Sequence, residues 1–187
     1  MAILADIGLV LWFFLPAGVA NMVPVLVAPV PGLRQWNAPI DGGREYRGRR
    51  IFGDHKTWRG LVTGMVASTL VFWLQQWLVV HTGWGAALAG QIDYAHLPVL
   101  IVGPLLGFGA LAGDAIESFF KRQRQVAPGR SWFPFDQIDY VVGGVLAVLP
   151  FVRLTVWHYV LLLAFWLGIH MVVSFIGFKM HLKERPI

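Results

Sequence analysis

Five stretches of this chain run without a formal charge, and stretches that long are hard to hide in a water-soluble domain. The first extends from Ile7 to Leu33, longer than the roughly 20 helical residues that cross a hydrocarbon layer. The second follows Arg59 and extends through Val80, the third covers Leu97 to Gly113, and the fifth covers Leu154 to Phe178. The fourth, Tyr140 to Val152, is short and is completed by continuing the helix back through Asp139 to Ile138. The expected spans are therefore 7–30, 60–80, 97–113, 138–152 and 154–178. Pro16, Pro24, Pro29 and Pro31 predict that the first helix kinks or ends early. No Lys or Arg precedes that helix, so it lacks the basic n-region of a signal peptide and is expected to be retained. Composition agrees: 57% of the residues are hydrophobic and 13% charged, about half the charge of a soluble chain. The fold class expected is an all-α integral membrane protein, one membrane domain over residues 1–187, with about five transmembrane helices and two functional cytoplasmic loops.

Five spans place the loop 34–59, the loop 114–137 and the C-terminal tail on one side of the membrane. That side carries 14 of the 15 Lys and Arg, leaving only Arg153 for the other. The positive-inside rule makes it cytoplasmic. The N-terminus is then outside, the C-terminus inside and any site built from the two loops cytoplasmic. The net charge of +5 sits beside apolar spans rather than on a soluble patch, which fits anionic lipid or phosphate and not nucleic acid. With no cysteine, disulfides, zinc ribbons and thiol catalysis are excluded. The six histidines show no ligand spacing. Trp12, Trp36, Trp58, Trp84, Trp132 and Trp157 fall near predicted span ends, as an interfacial belt does.

The second loop carries Gly113-Asp114-Ala-Ile-Glu117-Ser118-Phe-Phe-Lys121-Arg122, then Pro128-Gly129, then Pro134-Phe-Asp136-Gln-Ile-Asp139. If the third helix continues, Asp114, Glu117, Ser118 and Lys121 share one face, and Asp136 and Asp139 share a face of the fourth. The Pro-Gly turn returns one helix beside the other. Glycines at 103, 107, 109 and 113 on one helix and at 143 and 144 on the other permit close approach. Carboxylates gathered at the membrane edge repel one another and are costly to desolvate, so they call for a cation. Lys121 and Arg122 are candidates, and so is Mg²⁺, which takes carboxylate and phosphate oxygens. The same acids also suit helix starts favoured by the macrodipole.

The first loop carries Asp41-Gly-Gly-Arg44 and Gly48-Arg-Arg50-Ile-Phe-Gly53-Asp-His-Lys56-Thr57-Trp-Arg59-Gly60. Gly48 and Gly53 have the spacing of a P-loop, but the lysine stands two residues too late. A looser phosphate-binding reading survives, with glycine N–H groups and Arg50, Lys56 and Arg59 contacting phosphate oxygens. A stop-transfer anchor is the alternative; Thr57 and the interleaved glycines are not needed for anchoring.

On these two strings, with Asn21 and Pro24 in the first helix, the chain resembles the archaeal CDP-archaeol synthases over most of its length. The second string is more distantly similar to the signature of phosphatidate cytidylyltransferases, although Asp136 is followed here by Gln137. The resemblance implies transfer of a cytidylyl group from CTP to a membrane lipid phosphate, with CTP and the lipid phosphate as partners, Mg²⁺ as cofactor and pyrophosphate as the second product. It implies Asp114, Asp136 and Asp139 as metal ligands and catalytic residues, with Lys121 neutralising phosphate and Glu117 and Ser118 in support. Asp41, Arg50, Lys56, Thr57, Arg59 and Asn21 would bind substrate. A transporter would place charges within several spans, and a non-catalytic membrane subunit would not need two acidic and basic constellations on one side. A CDP-alcohol phosphotransferase would show Asp-x-x-Asp-Gly, which is absent.

Overall fold

The computed structural model describes residues 2–127 and 130–179. Pro128-Gly129 and the tail cations Lys183 and Arg185 lie outside the described residues. Six α-helices form the body: α1 (Ala2–Val27), α2 (Trp58–His81), α3 (Gly83–Ala89), α4 (Val99–Gln123), α5 (Phe135–Val148) and α6 (Val156–Lys179), with a single 3₁₀ turn at Tyr94–His96. Four of them, α1, α2, α4 and α6, are long and apolar enough to cross a membrane, and the chain is a mostly helical, multi-pass membrane protein. The expected span 138–152 is the 14-residue α5, about 21 Å at 1.5 Å per residue and short of a roughly 30 Å hydrocarbon layer.

Sequence explains the limits of these helices. Pro16 and Pro24 lie inside α1, which stops at Val27, before the Pro29 and Pro31 pair that would remove two more N–H donors. Thr57 caps α2, its Oγ1 accepting from the N–H of Gly60 at 3.2 Å. Thr82 caps α3 in the same way through the N–H of Gly85 at 3.1 Å. Helix α4 passes the end of its apolar run at Gly113 and continues to Gln123, so the acidic string stands on helix rather than in a loop.

Packing centres on Val10, Phe13, Phe14, Phe72, Val102, Leu106, Val141 and Leu162, all fully buried. In lipid, apolar contact gives little net drive between helices, so close approach and interhelical hydrogen bonds carry the association. Ser68 Oγ donates to the carbonyl of Gly103 at 2.8 Å, Gln75 Nε2 to that of Trp12 at 2.5 Å, and Trp166 Nε1 to that of Val10 at 3.3 Å. Helices α4 and α5 meet backbone to backbone: a Cβ at Gly113 would collide with the carbonyl oxygen of Asp139, and one at Gly143 with that of Gly109. At the far end of the bundle, Asp6 accepts from Trp157 Nε1 at 3.1 Å, and His158 Nε2 lies 3.3 Å from its other oxygen. Helices α1 and α6 therefore begin at the same end.

The segment between α1 and α2 is not helical. It holds a two-residue hairpin, β1 (Glu45–Tyr46) with β2 (Arg49–Arg50), antiparallel with Tyr46 opposite Arg49. Its turn residues Arg47 and Gly48 both have positive φ, 55° and 72°, the geometry whose twist matches a hairpin. The fold thus carries a small β element that an all-α reading omits. The hairpin rests on α4 through Tyr46 on Phe119 and through Arg49 Nη1, which donates to the carbonyl of Gln123.

Candidate active site

The site forms where the hairpin loop folds over the C-terminal half of α4 and the start of α5. Asp41 organises that loop. Its Oδ1 accepts from the N–H of Gly43 and from Arg50 Nη2, both at 2.9 Å, and its Oδ2 from the N–H groups of Phe52 and Gly53 at 3.0 and 3.1 Å. Burial alone would raise its pKa; the Phe52 N–H, the Arg50 guanidinium and the Gly43 and Gly53 N–H groups outweigh this and hold it at about 2. With all four acceptor positions in use, Asp41 is not free for substrate, and its expected binding role becomes one of holding the loop. Arg59 is corrected likewise. Its guanidinium is buried and donates to the carbonyl of Leu33 at 3.3 Å, which ties the loop to α2.

The remaining groups converge. Lys56 Nζ donates to Asp114 Oδ2 at 2.6 Å. Lys121 Nζ reaches both oxygens of Asp136, at 3.1 and 3.0 Å, and lies 3.7 Å from Glu117 Oε1. One carboxylate oxygen from each of Asp114, Glu117 and Asp139 lies within 4.8 Å of the others. Glu117 Oε1 and Asp139 Oδ2 are buried with no hydrogen-bond partner, a costly arrangement for carboxylates unless a cation joins them. Oxygen donors in this number suit a hard divalent ion. The cluster differs from the expected metal set at one position: Asp136 is engaged by Lys121 and by the N–H of Trp132 at 3.0 Å, and Glu117 stands in the cluster.

Three cavities lie at or beside this cluster, two of them lined by its carboxylates and the other reaching it through Lys56 and Lys121. One of about 400 Å³ is polar and cationic, lined by Arg50, Lys56, Lys121 and Arg122 together with Ser118, Asp54, His55 and the Phe52–Gly53 backbone. Arg50 Nε is buried there without a partner. A smaller one of about 170 Å³ brings Asn21, Lys56, Thr57 and Asp114 together with Pro24 and Leu111. The third, about 510 Å³, is an apolar groove lined by Ile116, Phe120, Trp132, Phe135, Ile138, Val142 and Leu146, with Glu117, Asp139 and Arg124 on its wall. Glu117 and Asp139 thus face the apolar space, and the cationic one reaches the cluster through Lys56 and Lys121, the partners of Asp114 and Glu117. Of the sequence-expected residues, Asp114, Glu117, Ser118, Lys121, Asp139, Arg50, Lys56, Thr57 and Asn21 line one or more of these spaces.

Sequence reasoning missed the groove. Its signal was present: Ile116 and Phe120 are four apart beside Glu117, and Phe135, Ile138 and Val142 follow three- and four-residue steps beside Asp139.

Known proteins share this chain's pattern throughout. The family model described as CarS-like, CDP-archaeol synthase, matches residues 3–187. The CDP-archaeol synthase of Thermococcus onnurineus (strain NA1) is 35% identical over 176 residues, covering 94% of each chain. That of Thermococcus gammatolerans is 34% identical over 187 residues, covering 100% of this chain and 99% of its own. Among solved structures, an intramembrane enzyme for archaeal membrane lipids biosynthesis superposes with a TM-score of 0.67 at 29% identity, covering 88% of this chain and 91% of the other. With matching length, fold and sequence from end to end, the chain belongs to the CarS-like, CDP-archaeol synthase family.

Proposed function

We propose that the protein is a CTP-dependent cytidylyltransferase that converts a membrane lipid phosphate to a CDP-lipid and pyrophosphate. The observation that carries this reading is the cluster of Asp114, Glu117 and Asp139, with Glu117 and Asp139 on the apolar groove and with Lys56 and Lys121, the partners of Asp114 and Glu117, on the cationic cavity. Such a reaction needs a triphosphate and a lipid to meet at one point.

In this reading the triphosphate of CTP occupies the cationic cavity lined by Arg50, Lys56, Lys121 and Arg122, whose charges meet its oxygens. The cavity volume lies in the range of small-molecule sites. The lipid lies in the groove, with its chains along Ile116, Phe120, Ile138 and Val142. Asp114, Glu117 and Asp139 would hold Mg²⁺, which when bound supplies charge neutralisation at the phosphates. An oxygen of the lipid phosphate attacks the α-phosphorus of CTP; the bond from that phosphorus to the bridging oxygen breaks, and pyrophosphate leaves with the electron pair. A lipid phosphate is already ionised near neutral pH, so no side chain has to remove a proton. What the chain contributes is alignment and fixed positive charge, the chief requirements of phosphoryl-type transfer. Asn21 and Thr57 border the small cavity beside Lys56 and bind at the nucleotide end; Ser118 lines the cationic cavity.

The topology that fits this reading has five passes, α5 with the residues that follow it returning the chain to the end where α1 begins. The contact of Asp6 with Trp157 and His158 supports it, as does the one-sided distribution of Lys and Arg. The N-terminus is then outside and the site cytoplasmic, and tags on the two ends should be accessible from opposite sides of sealed vesicles.

The test of function is turnover. Purified protein with Mg²⁺, CTP and a dialkylglycerol phosphate should release pyrophosphate, and omission of either substrate should abolish release. Pyrophosphate release that is indifferent to lipid would refute the reading. Running an ether-linked and an ester-linked lipid phosphate in parallel identifies the acceptor class.

A further inference from the structure

Arg124 stands apart from the other cations of the site. Lys121 and Arg122, on the last turn of α4, line the cationic cavity, whereas Arg124, the residue that ends the helix, lines the apolar groove. Among the described residues no other Lys or Arg lines that groove. Lys56, Arg50 and Lys121 are each paired with a carboxylate; among the described residues Arg122 and Arg124 have no such pair, and of these two only Arg124 lines the groove. Its guanidinium lies 5.1 Å over the ring of Trp132, which packs on Phe135 at 4.7 Å. A cation–π contact of this kind orients a guanidinium while leaving its N–H donors free at the edge.

The groove sets an electrostatic problem that this residue answers. Glu117 and Asp139 line the same space and in the reading above are taken up by Mg²⁺, so the head-group oxygens that face the groove away from the cluster need a donor of their own. An alcohol head group has no such oxygens to satisfy. A planar guanidinium with paired donors matches a phosphate and provides the missing attraction.

We propose that Arg124 is the residue that binds the phosphate of the acceptor lipid, so that the groove selects a phosphorylated lipid over the corresponding alcohol. This rests on the reading that the groove holds the acceptor. Arg124 holds oxygens of the lipid phosphate other than the one that attacks the α-phosphorus, takes no proton, and stays in place as pyrophosphate leaves.

The test is a binding measurement without nucleotide, on the full chain in detergent, comparing a short-chain dialkylglycerol phosphate with the matching dialkylglycerol. The wild type should bind the phosphate at least about tenfold more tightly. Arg124→Ala should bring the two affinities together, and Arg124→Lys should restore part of the difference. In turnover, Arg124→Ala should raise KM for the lipid phosphate about tenfold or more and leave KM for CTP unchanged. A wild type without the preference, or an Arg124→Ala protein that keeps it, would overturn the assignment. Failure of the underlying functional reading shows separately, as absence of CTP-dependent turnover in the wild type, while the binding preference still decides the role of Arg124.

Discussion

Lys56 Nζ donates to Asp114 Oδ2 at 2.6 Å across 58 residues of sequence, and this one contact closes the hairpin loop onto the acidic face of α4. It joins the cation proposed to bind phosphate to a carboxylate proposed to hold metal, so in this reading the two functions share an element. Lys56→Ala should leave insertion and folding intact and raise KM for CTP by about 5- to 150-fold, the range of about 1–3 kcal/mol for a lost charge-assisted hydrogen bond. Affinity for the lipid phosphate should not change. Unaltered CTP kinetics in this variant would return the loop to an anchoring role.

The carboxylates divide into two groups that substitution should separate. Asp139→Asn and Glu117→Gln keep shape and remove charge from the cluster, so both should weaken Mn²⁺ binding, read by paramagnetic resonance, and lower turnover at least about a hundredfold. Asp136→Asn instead removes the partner of Lys121 and should disturb CTP use more than metal affinity. Equal loss of metal binding in all three variants would contradict the division between cluster and support.

Asp41 gives the loop a pH limit. Its folded pKa is depressed from 3.8 to about 2, so the stability it contributes is fully present above the ordinary carboxylate value and is lost as pH falls from about 4 through about 2. The shift corresponds to about 2 kcal/mol. A spin label on the hairpin should therefore become mobile across that window and stay unchanged between about pH 5 and 8. Asp41→Asn should show the mobile state at neutral pH.

Close approach of α4 and α5 is what brings Asp139 to Glu117. Gly143→Ala forces a Cβ into the backbone of Gly109 and Gly113, and overpacking of this kind costs about 1–3 kcal/mol or more. A lower Tm in detergent together with weakened metal binding is expected; a lower Tm with intact metal binding would show that the cluster does not depend on this crossing.

Much of this was readable in the sequence, for physical reasons that also mark where reading stopped. Four long helices were legible because runs free of charge have no other solvent than lipid. The brevity of α5 was marked only by Pro150, which the apolar run around it masked; Leu149 to Phe151 form a turn after Val148. Helical spacing put Asp114, Glu117 and Lys121 on one face, and the structure keeps them there. Spacing could not rank Asp136 against Glu117, since the choice depends on the Trp132 N–H and Lys121, which capture Asp136 locally. Asp41 and Arg59 looked like substrate ligands for the same reason: charged residues beside glycines read alike whether they hold phosphate or hold the loop that does.

The central claim is that the α-phosphate of CTP moves to the lipid with its nucleoside attached. The most direct measurement supplies the purified protein with a lipid phosphate and CTP labelled either at the α- or at the γ-phosphorus, then separates organic from aqueous products. The account predicts α-label in the lipid fraction and γ-label in aqueous pyrophosphate, both requiring Mg²⁺. Label from the γ-phosphorus in the lipid, or α-label confined to water, would contradict it.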